Sequence, residues 1–426
     1  GGKGAAGLAE DVRYYGEWMK QEACKRIGHL YPKAKLEDGS EATVIAWIWA
    51  RTVKCPNPAC GCEMPLVRSF TLSKKKGHEA WIKATYTTDG FEYTVQQGSH
   101  KEEGTVDRKG ATCLKCGSSV DFPYIRNAGK NGQMNSKLIA VVAEGSHGRV
   151  YLSANSEQLH AAIVVRPEDY PDAKLPKNPR DFKTPNYGLT TFADLFTNRQ
   201  LTALTTFSSL VSEAQQKAEA DAVAAGVFND HIALSEGGSG ARAYGEAVGV
   251  YLAFGVSRMT DIDNALCRWE VTKTQVRNLF SRQAIPMVWD YAENNVFNNA
   301  AGDYTTSLGS IIKVIERFEQ QKRERYANLM PKAIPDFVML WFLQIRPIMT
   351  ILVMRIYQIF FMFGCGKHSK KPIRSSSAQC LYRKQRNWLQ RLIALMAAWK
   401  KHAISLKTAC STPAAVSMII RGMIFP

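Results

Sequence analysis

Apolar residues at Val12, Tyr15, Met19 and Ala23 recur three or four positions apart. They predict a helix over Asp11 to Leu30, with Asp11 placed to cap its start. The period then changes. Ala42 to Thr52 holds Val44, Ile45, Trp47, Ile48 and Trp49 in a nearly continuous apolar run, which predicts a buried strand. Ala80 to Tyr86 and Phe91 to Gln97 flank a Thr-Asp-Gly turn and predict a β-hairpin. Leu138 to Ala143 and Arg149 to Leu152 predict two strands around Gly145 and Gly148. Pro167 to Tyr187, with Pro171, Pro176, Pro179 and Pro185, predicts a connection and the main domain boundary. Beyond it the pattern is helical. Thr197 caps a helix through Leu201, Leu204, Phe207, Leu210 and Val211 to Ala225. A second helix runs from Ala241 to about Met259, with Ser239 as its cap. Thr274 to Phe280 predicts a short helix, and Ser281 to Asp290 a loop entering a buried strand.

Two cysteine pairs carry the sharpest chemistry. Cys55 and Cys60 enclose four residues, and Cys113 and Cys116 enclose two. Each pair offers two thiolates on a tight turn, and Gly61 and Gly117 follow with the conformational freedom such turns need. The chain begins at Gly1 without an apolar leader, so its ten cysteines are expected to serve metal binding rather than disulfides. The expected cofactor is one zinc on Cys55, Cys60, Cys113 and Cys116, with Cys62 as the alternative to Cys60. No histidine or acid stands at catalytic-zinc spacing beside them, so the expected role is structural.

Two weaker signals remain. Gly238 to Ala243 has the look of a nucleotide-binding glycine loop, but no strand precedes it, and a plain turn is the expectation. Arg268, Arg277 and Arg282 lie close to Gln283 and Trp289. Arginine, an amide and an aromatic are what base recognition uses, which makes Arg277, Arg282, Gln283 and Trp289 candidate nucleic-acid contacts. The competing expectation is a solvated face with a core tryptophan.

Charge divides the chain. Residues 317–426 hold 19 basic and 3 acidic residues, whereas residues 1–316 are almost neutral. From Phe337 to Pro426 there are 14 basic residues and no acid. One reading is a membrane anchor through residues 334–364, opposed by Arg346, Pro347 and Arg355. Another is a basic tail for nucleic acid. The favoured reading is a shifted reading frame. With permitted codons chosen for the back-translation, the frame read from the last base of the Gln344 codon gives DPPYYDNIGYADLSD. One of its aspartates is forced by Met349 followed by Thr350. The tail is therefore expected to have no packed tertiary role.

Four in-frame strings point the same way: Ala42 to Cys60 (ATVIAWIWARTVKCPNPAC), Asn178 to Gly188 (NPRDFKTPNYG), Phe192 to Leu201 (FADLFTNRQL) and Arg282 to Asp290 (RQAIPMVWD). Together they resemble the large prokaryotic adenine-specific DNA methylases that contain a zinc ribbon. The resemblance covers residues 1 to about 315, and DPPY is that family's catalytic signature. It implies S-adenosylmethionine as cofactor of the intact enzyme, DNA as partner, other subunits of the same system as further partners, and a cytoplasmic protein without a membrane association.

The implied fold is α+β: a zinc-ribbon β insert with the helical segment of an α/β methyltransferase and a non-native C-terminal tail. The expected divisions are 1–41 helical, 42–152 zinc ribbon, 153–188 connection, 189–316 helical target-recognition segment and 317–426 aberrant tail. Neither DPPY nor an upstream cofactor loop stands in frame, so no catalytic or cofactor-binding residue is assigned. The expected activity is that of a middle fragment, inactive alone. The alternatives are a zinc-ribbon binding module or a membrane-anchored interaction protein.

Overall fold

The apolar run Val44 to Ala50 lies in the longest strand among the described residues, and the rest of the fold is arranged around it. A computed structural model describes residues 4–99, 103–146, 148–280 and 284–328. In chain order the first elements are α1 (Gly4–Ile27), β1 (Ala34–Lys35), β2 (Glu41–Lys54), β3 (Glu63–Leu66), β4 (Thr71–Ser73), β5 (Ala80–Thr87), β6 (Gly90–Gln97), β7 (Gly110–Thr112) and β8 (Ser119–Asp121). They are followed by α2 (Phe122–Lys130), β9 (Asn135–Gly145), β10 (Gly148–Leu152), α3 (Ser156–Ala162), α4 (Asn198–Ala224) and α5 (Ala241–Met259). The last are β11 (Arg268–Glu270), β12 (Gln275–Arg277), β13 (Asp290–Asn294) and α6 (Tyr304–Asn328).

β2 pairs antiparallel with β9 along one edge. Its other edge is shared in succession by β1 at Ala42, β13 at Ala46 to Ala50 and β3 at Arg51 to Lys54. Register shifts after Val44 and Ile48 mark irregularities that bend so long a strand. Both faces of β2 are covered. Val44 and Trp47 face α1, α4, α5 and α6, whose Met19, Phe207, Leu252 and Leu308 belong to the same core. Ala46, Ile48 and Ala50 face a second core with Met64, Ile82, Phe91 and Ile125 of the ribbon side. Burial on both faces explains why the run reads as continuously apolar rather than alternating.

The architecture is mixed helix and sheet, an α+β arrangement. Several local expectations are corrected. α1 starts at Gly4, so Asp11 is no cap: its carboxylate accepts the Tyr244 hydroxyl at 2.6 Å. The cap of α5 is Gly240, not Ser239. Asp230 accepts the Ser239 and Gly240 N–H groups, and Asn229 accepts that of Arg242. Thr274 to Phe280 is not helical. Thr274 takes a positive φ of 49° in the turn of the β11–β12 hairpin, so the strand pairing outweighs the weak helical signal.

The segment Pro167 to Tyr187 does not separate two bodies. Leu175 packs with Leu195, Leu266, Leu279 and Ile285, and Phe182 bridges Ile285. The expected pieces 1–41, 42–152 and 189–316 all supply strands to one sheet or helices to its covering layer. α6 continues past residue 317 to Asn328. The membrane-anchor and tail expectations for residues 329–426 fall outside the described residues. Among the described residues no helix is long and apolar enough to cross a membrane.

Candidate metal centre and the surrounding polar groups

β2 delivers Cys55 at its end, and the turn that follows folds over Asn57. The Asn57 carbonyl accepts the N–H groups of Cys60 and Gly61 at 2.9 and 3.0 Å, and Cys55 N–H donates to Cys62 O at 2.8 Å. Gly61 has a φ of 54°. The second turn joins β7 to β8. Cys113 N–H donates to Ser118 O, Gly117 N–H returns to Cys113 O, and Gly117 has a φ of 71°. The Asn57 amide reaches the Ser118 hydroxyl at 3.1 Å and ties the two turns together.

These turns bring Cys55, Cys60, Cys113 and Cys116 together, with all four sulfurs within 4.8 Å of one another. Cys55 and Cys116 stand 3.7 Å apart, and Cys60 and Cys113 stand 3.9 Å apart. A zinc–sulfur length of about 2.3 Å in a tetrahedron requires edges of about 3.8 Å. The donor set therefore fits a metal ion such as zinc. Cys62 is buried and lies 3.5 Å from both Cys60 and Cys113, against one edge of the cluster.

The thiols are electrically unequal. Burial pushes the Cys55 thiol up to about 12. The Ser118 hydroxyl and N–H lower the exposed Cys116 to about 6. Burial raises Cys62 as well. Cys116 is thus the readier thiolate of the Cys55–Cys116 pair.

Of the nucleic-acid candidates, the described residues include Arg277 and Trp289. Trp289 is buried, stacked on Phe122 at 6.0 Å and met edge-on by Tyr187 at 5.0 Å, so its ring presents no open face to a base. Arg277 lies on β12, where its Nε bonds Glu270. Arg282 and Gln283 lie outside the described residues. Arg268 pairs across the hairpin with Arg277. The loop Gly238 to Ala243 does not fit a phosphate, because the Ser239 and Gly240 N–H groups are already spent on Asp230.

A buried polar network escaped the sequence reading. Arg199, in the first turn of α4, donates through Nε and Nη2 to Glu293 of β13 at 3.1 and 2.7 Å. Glu293 also accepts the Trp49 indole N–H and the Thr197 hydroxyl. Asp263 is enclosed nearby, and burial raises its carboxyl well above the usual range. The partners lie far apart in the chain, so no spacing motif announces them.

Comparison with known proteins finds no matching family, no matching curated protein and no matching solved structure.

Proposed function

We propose that this chain is the zinc-ribbon-bearing segment of an S-adenosylmethionine-dependent DNA adenine methyltransferase. In this reading one structural zinc is held by Cys55, Cys60, Cys113 and Cys116, and DNA is the partner. The observation that carries the zinc is the four-sulfur cluster, two of whose edges, 3.7 and 3.9 Å, match the tetrahedral requirement. Four thiolates complete the coordination and leave no open position for substrate. The metal would hold the two turns together and supply no catalytic step.

The methyltransferase reading rests on the four resembling strings, and their placement supports it. Separate in the chain, they converge on one region. Arg51 of the first string donates to Val288 O of the fourth. Asp181 O of the second accepts Ile285 N–H of the fourth, and Tyr187 of the second packs on Trp289. Thr197 of the third string bonds Glu293, just beyond the fourth. A likeness confined to strings that build one structural unit is what a shared scaffold would leave. The 426 residues contain no in-frame DPPY. No group described above is therefore given a role in methyl transfer.

The test compares methyl transfer to mixed-sequence DNA by this chain and by a version with the frame restored after about Glu316 and an upstream cofactor-binding segment added. The chain alone should be inactive and the restored version active. Activity in the chain alone would overturn the fragment reading. A folded, restored version that stays inactive on DNA from several sources would overturn the methyltransferase reading.

A further inference from the structure

We propose that a cleft at the end of α5 binds a single nucleotide unit, with its phosphate on Arg258. The cleft encloses about 280 Å³ between α5, the β11–β12 hairpin and the turn into α6. Arg258, Gln275, Arg277, Asn278 and Ser307 stand in its wall.

The wall contains one acid, Asp261, and its oxygens are committed. Oδ1 accepts the Phe280 N–H at 2.6 Å, and Oδ2 accepts the Asn278 amide at 3.2 Å. Glu270 engages Arg277 through its Nε. The Arg258 guanidinium has no hydrogen-bond or ion-pair partner among the described residues. Arg258 is exposed at the rim of this concave site, and its guanidinium is free to engage an anion.

The neighbouring groups narrow the ligand class. A planar guanidinium matches two phosphate oxygens at once. The Gln275 amide offers a donor and an acceptor. Asn278 keeps its carbonyl oxygen as an acceptor while its NH₂ is held by Asp261. Amides of this kind read the edges of bases. The volume, about 280 Å³, falls just below the roughly 300–1,000 Å³ that small-molecule sites enclose, which suits one nucleotide rather than a longer ligand. Gly302 lets this wall pack closely: it has a φ of 98°, and a Cβ there would come within 2.8 Å of Ile262. The inference rests on the nucleic-acid reading for its choice of nucleotide over other phosphate esters.

The test uses the full chain loaded with zinc, titrated calorimetrically with inorganic phosphate, adenosine monophosphate, malonate and a six-nucleotide single strand. Arg258→Ala should weaken adenosine monophosphate and the strand about tenfold or more, the scale of a lost charge-assisted hydrogen bond. Arg258→Lys should fall between, because it keeps the charge and loses the fork. Gln275→Ala should weaken the nucleotide and leave inorganic phosphate unchanged. Loss for the strand alone would assign the phosphate to DNA, and loss for both ligands to any nucleotide. Equal binding by Arg258→Ala, or malonate competing as well as the nucleotide, would overturn the proposal. An inactive restored methyltransferase would leave these binding results standing, and an active one that binds normally without Arg258 would overturn the cleft alone.

Discussion

Arg199 of α4 and Glu293 of β13 form a two-pronged ion pair with no solvent access, at 3.1 and 2.7 Å. The pair pins the first turn of α4 to the sheet. Arg199 also covers the Trp47 ring at 4.0 Å and donates to Leu30 O at 3.1 Å. Removing the cation alone leaves Glu293 with only the Trp49 and Thr197 donors. Arg199→Met should destabilise the fold by about 3–5 kcal/mol, the cost of an uncompensated buried charge. Adding Glu293→Leu should recover part of that loss. Urea denaturation of the two variants and the parent gives both numbers, and a loss below about 1 kcal/mol would show that the pair is not what holds α4 to the sheet.

The metal centre predicts a sharp contrast between adjacent cysteines. Cys60→Ser should lower zinc content and change the thiolate-to-cobalt absorption of the cobalt form. Cys62→Ser should keep about one metal per chain and the four-thiolate spectrum. Both sulfurs touch Cys113, but Cys60 belongs to the set within 4.8 Å of all the others. The reverse result would move the ligand to Cys62. Full occupancy in both variants would mean that either sulfur can serve.

What the sequence disclosed and concealed follows from how local each cause is. β2 was legible because its burial on both faces leaves a continuous apolar trace. The cysteine turns were legible because each pair is short and carries its own glycine. The Thr197 cap was legible for the same reason, as its partner Gln200 is three residues away. Asp11 was misread because the hydroxyl it accepts belongs to Tyr244, 233 residues away. Ser239 was misread because the capping acid, Asp230, stands in the preceding loop rather than at the helix start. The Arg199–Glu293 pair and the Arg258 cleft join elements with no common spacing. Trp289 was ambiguous in sequence, since only Phe122 and Tyr187 reveal that both sides of its ring are occupied.

Gly129 and Gly188 allow α2 to meet the turn at Tyr187. A Cβ on Gly129 would lie 2.3 Å from Tyr187 O, and one on Gly188 would lie 2.1 Å from Gly129 O. Gly188 also has a φ of 88°. Backbone atoms cannot give way as a flexible side chain can. Gly129→Ala should therefore cost about 1–3 kcal/mol and Gly188→Ala at least as much. Both should disturb Trp289, because Tyr187 packs on it edge-on. Shifted tryptophan fluorescence together with a lower denaturation midpoint is expected. Parental values for both variants would show that the two segments separate easily.

Asp290 sets a pH dependence that can be isolated. It begins β13, and its Oδ1 accepts the Arg68 N–H at 2.9 Å. Burial pushes its carboxyl up from 3.8 to about 6. The folded state therefore binds a proton more tightly than the unfolded state does. The resulting stabilisation is fully present below about pH 4 and is lost as pH rises through about 6. The displacement bounds the effect at about 3 kcal/mol. Asp290→Asn keeps a carbonyl to accept the Arg68 N–H and carries no charge at any pH. The variant should gain stability over the parent as pH rises from 5 to 7.5, with the difference levelling off above about 7. Metal loss and other carboxylates act on both proteins, so the difference between their denaturation midpoints is the informative quantity. A difference that stays constant across this range, or that favours the parent at pH 7.5, would show that the Asp290 carboxylate is ionised in the fold without cost.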